Sequence, residues 1–366
     1  LEVQGSVKKV IMHAPKNGFF YIIDRSTGKP LSAEKFAPVN WASHVDLETG
    51  RPQETEGARY EKGPFVAVTG GAGIHNWHPM SYSPNTGLVY LPIQELPFVY
   101  VSEDPNYRVN QLNLGYELFD EPLPQSPEGI ASVEAILTGN LLAWDPVKQK
   151  PAWKVDYPKS YNGGTMATAG ELVFQGTAEG FFNAYDAYTG EKLWSIATGL
   201  PILAAPVTYA INGRQYVAVM AGNGGALALS MPNWQGPKKY PNGRLMVFAL
   251  DGNATLPVDD MTPMPLQSPK VVWDVEQVKL GKSLFAYNCA ACHGAATLTS
   301  GVLPDLKRSI AVTQSEIWQA IVISGAYKDR GMPSFAKAIT PDGAELIRVY
   351  VGSESLRIQG KTKTAP

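Results

Sequence analysis

The first 250 or so residues alternate short apolar runs with turns rich in Gly and Pro, a pattern typical of short β-strands. Apolar runs such as residues 88–90 and 172–174 stand between these turns. One arrangement recurs, in which an apolar strand leads into an Asp-x-x-Thr-Gly turn and a second strand ends in Trp. It predicts antiparallel hairpins, because Asp caps such a turn and Gly supplies the positive φ that the turn requires.

The hairpin arrangement repeats along this region. Residues 182–194 are the clearest copy, followed by residues 141–153 and 20–31, with 246–252 as a weaker fourth. The first two copies are 41 residues apart, both at their aspartates and at their trailing tryptophans. Although such a turn is common in unrelated hairpins, a shared period of about 40 residues is typical of β-propeller blades. At about 40–45 residues per blade, the region has room for about five or six blades.

Aspartate residues occupy the repeated turns, at Asp24, Asp145, Asp186 and Asp251. A carboxylate in a β-rich enzyme is also a candidate general base. Because all four stand in the same repeated turn, we interpret them as structural caps.

The last hundred residues have a different pattern and contain both cysteines of the chain, in Cys289-Ala-Ala-Cys292-His293. Cys-x-x-Cys-His is the attachment signature of a c-type haem, in which both thiols bind the haem covalently and the histidine is an axial ligand of the iron. A thioredoxin-type motif would follow a strand, but residues 276–288 predict a helix. A structural zinc site would need further ligands, and the other four histidines lie more than two hundred residues upstream.

A second axial ligand is expected at Met332, the only methionine after residue 270. His/Met ligation is typical of electron-transfer haems. Methionine is also ordinary core filler, but Met332 stands in a Gly- and Pro-flanked loop, where filler is less expected.

Helix signals surround the motif and predict a compact all-α domain. Thr313 and Glu316 are predicted to form a capping box that opens a helix over residues 314–324. Thr340 and Pro341 are predicted to cap and begin a last helix over residues 342–352. Gly281 with Phe285, which follows it on the first helix, resembles the Gly–aromatic pair where the terminal helices of class I cytochromes c cross.

Domain limits follow from these changes of pattern. We predict a propeller region over residues 1–253, a Pro-rich linker over 254–270 and a cytochrome c domain over 271–366. The net charge of −2 and the pI near 6.3 do not indicate a nucleic-acid-binding surface. No apolar run is long enough for a transmembrane helix, and since a c-type cytochrome is exported, we expect a leader that this sequence does not show.

Several strings of the sequence resemble the quinohaemoprotein alcohol dehydrogenases, over nearly the whole chain. Residues 14–21 (Ala-Pro-Lys-Asn-Gly-Phe-Phe-Tyr) look like that family's cofactor-lysine segment, and residues 75–78 (His-Asn-Trp-His) like its second quinone-contact segment. Residues 143–147, 162–165 and 174–177 also resemble sequence motifs that are common in that family. The resemblance implies a mainly β fold: part of an eight-bladed propeller, followed by a small class I cytochrome c domain.

The same resemblance implies the cofactors pyrroloquinoline quinone, haem c and calcium. It assigns Lys16, Asn76 and Trp77 as quinone contacts, and Ala226 as a weaker candidate in the loop of residues 222–226. Without it, Lys16 would be interpreted as a solvated turn lysine and Trp77 as a packing aromatic. Arg308 is a candidate partner for a haem propionate, or else a surface arginine.

Members of this family are about twice as long as this chain. Their catalytic aspartate and calcium ligands would lie upstream of Leu1, so the chain is expected to be the C-terminal half of such an enzyme and inactive alone. The resemblance implies a periplasmic enzyme that oxidises alcohols and passes electrons through haem c. The external acceptor would be a small copper protein, a cytochrome or membrane subunits that reduce quinone.

Two alternatives belong to other classes of function. The chain could be a non-enzymatic electron carrier, with a tethered cytochrome on a propeller docking scaffold. A haem-containing nitrite reductase also pairs these two domains, but its cytochrome precedes the propeller, whereas here it follows.

Overall fold

The structure is a computed structural model that describes residues 1–361 except residues 4, 103–123, 125, 223–242, 258–261, 263, 271–272 and 300–302. The described residues divide into two compact units, one up to residue 257 and one from residue 262 onward. The first is built of β-strands and the second of helices. The predicted class, mainly β followed by a small helical domain, is confirmed, whereas the predicted domain limits stay predictions.

Antiparallel strands make up the first unit. Its two-stranded ribbons are β1 (Glu2–Val3) with β2 (Ser6–Val7), β6 (Ala42–Asp46) with β7 (Arg51–Glu54), and β8 (Phe65–Ala67) with β11 (Phe98–Tyr100). Its larger sheets are β3 (Val10–His13), β4 (Phe19–Asp24) and β5 (Pro30–Lys35); β9 (Ser81–Ser83), β10 (Leu88–Glu95), β12 (Thr138–Asp145) and β13 (Lys150–Tyr157); β14 (Thr165–Ala167), β15 (Leu172–Gly176), β16 (Phe181–Asp186) and β17 (Lys192–Ala197); and β18 (Val207–Ile211), β19 (Arg214–Ala221) and β20 (Arg244–Ala249). A helix, α1 (Pro127–Glu134), precedes β12.

The larger sheets are meanders, in which strands adjacent in sequence pair, apart from the insertion between β10 and β12. The described residues contain four such sheets, against five or six blades expected from the repeat length. Residues 36–80 are as long as one blade, but their described strands form only two-stranded ribbons. Dividing the length of the region by the repeat period therefore gives too many blades. The blade number of the whole fold stays a prediction.

Burial on both faces of the second large sheet explains its continuous apolar runs. Seven of the eight residues of β10 are buried. Val89 and Leu91 pack with Phe20 of β4 and Trp144, whereas Tyr90, on the opposite face, packs with residues of β15 and β16. Each face of this sheet is therefore covered by a neighbouring sheet, as in stacked propeller blades.

The repeated Asp turns are hairpin caps, as interpreted from the sequence. Asp145 Oδ1 accepts hydrogen bonds from the backbone N–H groups of Val147 (3.0 Å) and Lys148 (2.9 Å). Asp24 and Asp186 make the same contacts with the residues two and three positions on. Asp251 differs, because it adopts a positive φ of 62° itself.

A further copy of the turn, Asp46-Leu-Glu-Thr-Gly50, was not among the predicted repeats, although its Asp, Thr and Gly have the same spacing. It joins β6 to β7, and Asp46 Oδ1 accepts a hydrogen bond of 2.9 Å from the Glu48 N–H. Its trailing strand, like that of the copy at residues 20–31, carries no Trp.

Trp153 packs against the Asp turn of the next copy of the repeat. Its indole N–H donates to the Ala187 carbonyl (3.1 Å), beside the next Asp turn. A Cβ on Gly190 in that turn would lie 2.6 Å from the Trp153 ring. The Trp that ends the copy at residues 141–153 thus packs onto the Gly of the copy at residues 182–194.

The second unit is helical. Its helices are α2 (Val275–Asn288), α3 (Ala290–His293), α4 (Ser315–Val322) and α5 (Pro341–Ile358), with 3₁₀ turns at Ala295–Thr297, Leu306–Arg308, Ile310–Thr313 and Lys328–Arg330. Helix α2 begins with a capping box between Asp274 and Gln277. No helix in the described part of the chain has the length and apolar character needed to span a membrane.

Two helix predictions need correction. The capping box of Thr313 and Glu316 is wrong: Thr313 ends a 3₁₀ turn and its hydroxyl donates to the Ile310 carbonyl (2.7 Å), so α4 begins at Ser315. The last helix starts as predicted, with Thr340 capping the Gly343 N–H (3.1 Å), but it continues past Gly352 to Ile358. Gly352 is a packing glycine, since a Cβ there would lie 2.9 Å from Pro269.

The first and last helices of this unit cross at the predicted Gly–aromatic pair. A Cβ on Gly281 would lie 2.1 Å from the Leu346 carbonyl oxygen, so only glycine permits this approach. Phe285, 1% exposed, packs edge-on against Tyr350, with 5.5 Å between ring centroids. This crossing closes the core beside Cys289.

Candidate functional site

The Cys-x-x-Cys-His motif forms a tight helical turn at the end of α2. The Cys289 N–H donates to the Phe285 carbonyl (2.8 Å), and the His293 N–H donates to the Cys289 carbonyl (2.9 Å). Cys289 is buried and Cys292 exposed, and neither forms a disulfide. Both thiols therefore stand free at the spacing that covalent haem attachment requires.

Burial raises the pKa of the Cys289 thiol to about 12, with a smaller contribution from Cys292. A thiol with such a pKa is protonated at neutral pH. Within the described ranges, no group of three His, Cys, Asp or Glu side chains is placed to bind a metal ion.

His293 is held in the orientation that an axial ligand needs. Its Nδ1 lies 3.0 Å from the Pro304 carbonyl oxygen, and because a carbonyl only accepts, Nδ1 carries the proton. Burial lowers the pKa of His293, while the Pro304 carbonyl and the charge of Asp305 act in the opposite direction. The neutral ring presents the Nε2 lone pair, the form that binds iron.

Met332 lies in the same helical unit. It is partly buried and packs, with Phe335, against the core cluster that contains Cys289 and Phe285. It follows Gly331, whose φ is +91°. With two free thiols and an oriented histidine beside this core, the residues fit a haem, and the role of Met332 as second ligand stays a prediction.

Arg308 is engaged with the protein itself. Its Nε donates to Asp305 Oδ2 (3.1 Å) and its Nη1 to the Met264 carbonyl. Its predicted pairing with a haem propionate stays a prediction, and any such contact has to coexist with these bonds.

Lys16 and the 75–78 segment, predicted to meet at the quinone, are adjacent in the first unit. The Ile74 N–H donates to the Lys16 carbonyl (3.2 Å). A Cβ on Gly73, which has a φ of +79°, would lie 2.4 Å from Lys16 Cβ. Glycine at 73 thus lets the lysine side chain lie directly against the second segment, 57 positions along the chain.

Asn76 and Trp77 sit at an exposed turn of that segment. Asn76 Nδ2 donates to the Ala72 carbonyl (2.9 Å) and its Oδ1 accepts from the Trp77 N–H (2.9 Å). Trp77 is 53% exposed, with its ring stacked on His78 at 4.0 Å between centroids. A half-exposed tryptophan held flat from behind is suited to contacting a planar ligand.

Two histidines missed as functional candidates hold this turn. The His75 ring nitrogens face the carbonyl oxygens of Ala14 and His78, so the ring ties the Lys16 segment to the Trp77 segment. Burial lowers the pKa of His75, and its two carbonyl contacts act the other way. Their spacing in His-Asn-Trp-His was visible in the sequence, but nothing there showed burial.

His78 lies beneath Trp77 and is fully buried, at 0% exposure. Burial and the neighbouring His75 lower its pKa to about 4, so the ring is neutral at pH 7. Tyr161 packs edge-on against it, at 5.8 Å between centroids. Its Nε2 has no hydrogen-bond partner among the described residues, nor has the Tyr161 hydroxyl.

Ala226, the remaining quinone candidate, lies outside the described residues. The expected catalytic aspartate and calcium ligands were assigned upstream of Leu1. Lys16, Asn76 and Trp77 as quinone contacts, and Cys289, Cys292 and His293 as haem attachments, stay predictions that this geometry accommodates.

Each of the two units contains a region that matches a known protein family. Residues 138–217 match the family described as the beta-propeller domain of glucose/ethanol/alcohol dehydrogenases, and residues 276–351 match cytochrome c oxidase, cbb3-type, subunit III. Quinohemoprotein alcohol dehydrogenase ADH IIB of Pseudomonas putida is 47% identical, over 100% of this chain and 52% of that protein. The quinohemoprotein alcohol dehydrogenase of Comamonas testosteroni is 41% identical, over 99% of this chain and 50% of that protein.

Solved structures give the same result. Quinohemoprotein alcohol dehydrogenase ADHIIG from Pseudomonas putida HK5 has a TM-score of 0.88 and 36% identity, covering 98% of this chain and 54% of that one. A europium-containing methanol dehydrogenase has a TM-score of 0.52 and 30% identity, covering 61% of this chain and 38% of that one. The chain spans about half the length of the curated relatives it matches. The recognition made from the sequence is confirmed: the chain is a homologue of the quinohaemoprotein alcohol dehydrogenases and corresponds to the C-terminal part of those relatives.

Proposed function

We propose that this chain forms part of an alcohol dehydrogenase that uses pyrroloquinoline quinone and haem c, oxidises alcohols to aldehydes and passes the electrons to an external acceptor. The observation that carries the proposal is that one chain combines a Cys-x-x-Cys-His motif with an oriented His293 and a second region where the Lys16 and Trp77 segments pack together. Homology to enzymes named for quinone and haem supports it.

The quinone, when bound, accepts the two electrons that leave the alcohol, and haem c carries them onward one at a time. Lys16 supplies the positive charge in this scheme. Its ammonium has no hydrogen-bond or ion-pair partner in the described part of the chain, so it is available to a bound ligand. A fixed cation there stabilises negative charge on a reduced carbonyl oxygen. Asn76 and the exposed face of Trp77 bind the ring system, and His78 holds the indole from behind.

The remaining parts of the proposal concern the whole protein. The catalytic aspartate and the calcium ligands are proposed in the part of the relatives' length that this chain does not span. We place the protein in the periplasm, with an alcohol as substrate. Its acceptor is a small copper protein, a cytochrome or membrane subunits that reduce quinone.

The test is alcohol-dependent reduction of haem in the complete protein loaded with quinone and calcium. Lys16→Met is expected to slow this reduction by about a hundredfold or more, the usual cost of losing one charge-stabilising donor. Lys29→Met, at an exposed turn of the same unit, is the matched control and is expected to reduce haem at the unaltered rate.

Chemical reduction of the haem should proceed equally in all three proteins, since Lys16 lies outside the helical unit. If alcohol never reduces the haem of the loaded protein, the enzyme proposal fails and the tethered-carrier alternative takes its place. If Lys16→Met matches Lys29→Met, the assignment of Lys16 alone is wrong.

A further inference from the structure

Two opposite charges are buried in the helical unit close to the haem motif. The side chains of Asp305 and Lys307 are 2% and 4% exposed, and Lys307 Nζ lies 3.0 Å from Asp305 Oδ1. The other carboxylate oxygen of Asp305 accepts from Nε of Arg308 (3.1 Å), whose side chain is 15% exposed and therefore less buried than the pair. Removing both charges from water is costly, and replacing such a pair with apolar groups of similar volume is often neutral or stabilising. A pair retained in this setting is therefore a candidate for a role other than stability.

The pair follows directly in sequence after the hydrogen-bond partner of the predicted axial histidine. His293 donates its Nδ1 proton to the carbonyl of Pro304, the residue before Asp305. The hydrogen-bond acceptor of a metal-bound histidine affects how strongly that histidine donates to the metal, and a charge on the residue next to the acceptor changes the electrostatic potential at the site.

The Lys307 ammonium connects both ends of the loop that leaves His293. Besides Asp305, it donates to the Thr297 carbonyl and to Thr297 Oγ1 (3.2 Å). The backbone at Lys307 is anchored independently, because its carbonyl accepts from the Gln267 N–H (2.9 Å) and from Ser355 Oγ (3.3 Å). The backbone at Lys307 thus keeps its attachments to the rest of the unit without the side-chain charge.

We propose that the buried Asp305–Lys307 pair is a positioning pair that sets the reduction potential of the His293 haem, with the Asp305 carboxylate favouring the oxidised state and the Lys307 ammonium limiting that effect. The carboxylate prevails because it is next to the residue that binds His293, whereas Lys307 reaches the loop through Thr297 and Asp305. The inference rests on the haem c part of the proposed function.

The experiment is a redox titration of the haem-loaded protein at neutral pH. Asp305→Asn keeps the shape and removes the negative charge, so it is expected to raise the potential. Lys307→Met is expected to lower it by a smaller amount, and the double variant to raise it by less than Asp305→Asn alone. Opposite shifts from adjacent buried residues are a signature that loss of packing would not produce.

Lys279→Met is the matched control, since it removes a positive charge from an exposed position of α2 in the same unit. It is expected to leave the potential unchanged. The proposal is overturned if Asp305→Asn matches this control or lowers the potential.

If a single variant fails to take up haem, the double variant decides. A raised potential supports the proposal, whereas an unchanged potential or failure to bind haem shows that the pair is structural. Absence of covalent haem from the unaltered protein would instead contradict the proposed function.

Discussion

The candidate haem site and the candidate quinone site are assembled in opposite ways. Cys289, Cys292 and His293 occupy five consecutive residues and one helical turn. Lys16 and Trp77 lie 61 positions apart and come together only because a glycine lets their segments touch. A local motif carries its chemistry in its spacing, whereas a dispersed site depends on the whole fold around it.

The buried histidines show the same contrast. His293 has its proton fixed by one carbonyl, eleven positions along the chain, which prepares the other nitrogen for a ligand. His75 has both nitrogens against carbonyls and ties two chain segments together. One histidine is therefore placed to bind, and the other is placed to support residues that bind.

The largest expected effect is on the helix crossing that closes the haem region. Phe285→Ala removes a ring that is 1% exposed and packs against Tyr350. Such a truncation costs about 3–5 kcal/mol, so we expect the helical unit to unfold at much lower denaturant concentration, with loss of haem. Urea unfolding followed by helical circular dichroism measures this.

Leu280→Ala, on the same helix but 54% exposed, is the matched control and should change the unfolding midpoint little. Equal losses from both variants would show that the helix crossing is not the core of this unit. Signals of the β-rich unit serve as an internal reference.

The two regions also differ in what the sequence alone predicts. The haem motif, the α5 cap at Thr340 and the Gly281 crossing were all visible, because each depends on residues close in sequence or on a fixed helical spacing. The support of Trp77 by His78 and Tyr161 was not visible, since it depends on burial that comes from packed sheets. The false capping box at Thr313 shows the limit of local signals: the hydroxyl bonded backward, to Ile310.

The second prediction concerns pH and the dispersed site. The pKa of His78 is about 4 in the folded protein against an ordinary value of 6.5, because the ring is buried. The unfolded chain therefore binds the proton first as pH falls, and stability that is complete above pH 6.5 is lost progressively toward pH 4. The expected loss from this group is about 3 kcal/mol.

His78→Phe keeps an aromatic ring beneath Trp77 and removes the titrating group. Its free energy of unfolding, measured by urea titration across this pH range, should fall less with acid than that of the unaltered protein. Tyr161→Phe is the control: burial raises the pKa of Tyr161, which stays neutral in acid, so the pH slope should be unchanged. Identical slopes for the unaltered protein and His78→Phe would contradict the buried, neutral assignment.

The smallest expected effect separates repeated residues from reactive ones. Asp145 holds a hairpin through two backbone N–H groups, so Asp145→Ala should cost about 1 kcal/mol. Asp145→Asn, which keeps an acceptor oxygen, should cost less. The control is Asp156→Ala, because the Asp156 side chain is 73% exposed in a surface pair with Lys154; this variant should change the stability little.

The activity of Asp145→Asn gives a second test. Because the same turn recurs at Asp24 and Asp186, we expect the alcohol-dependent haem reduction of the complete protein to be unchanged in Asp145→Asn. A large loss of that activity with normal stability would mean that a repeated aspartate takes part in the chemistry, and that the distinction between structural repeats and a unique reactive motif is wrong for this protein.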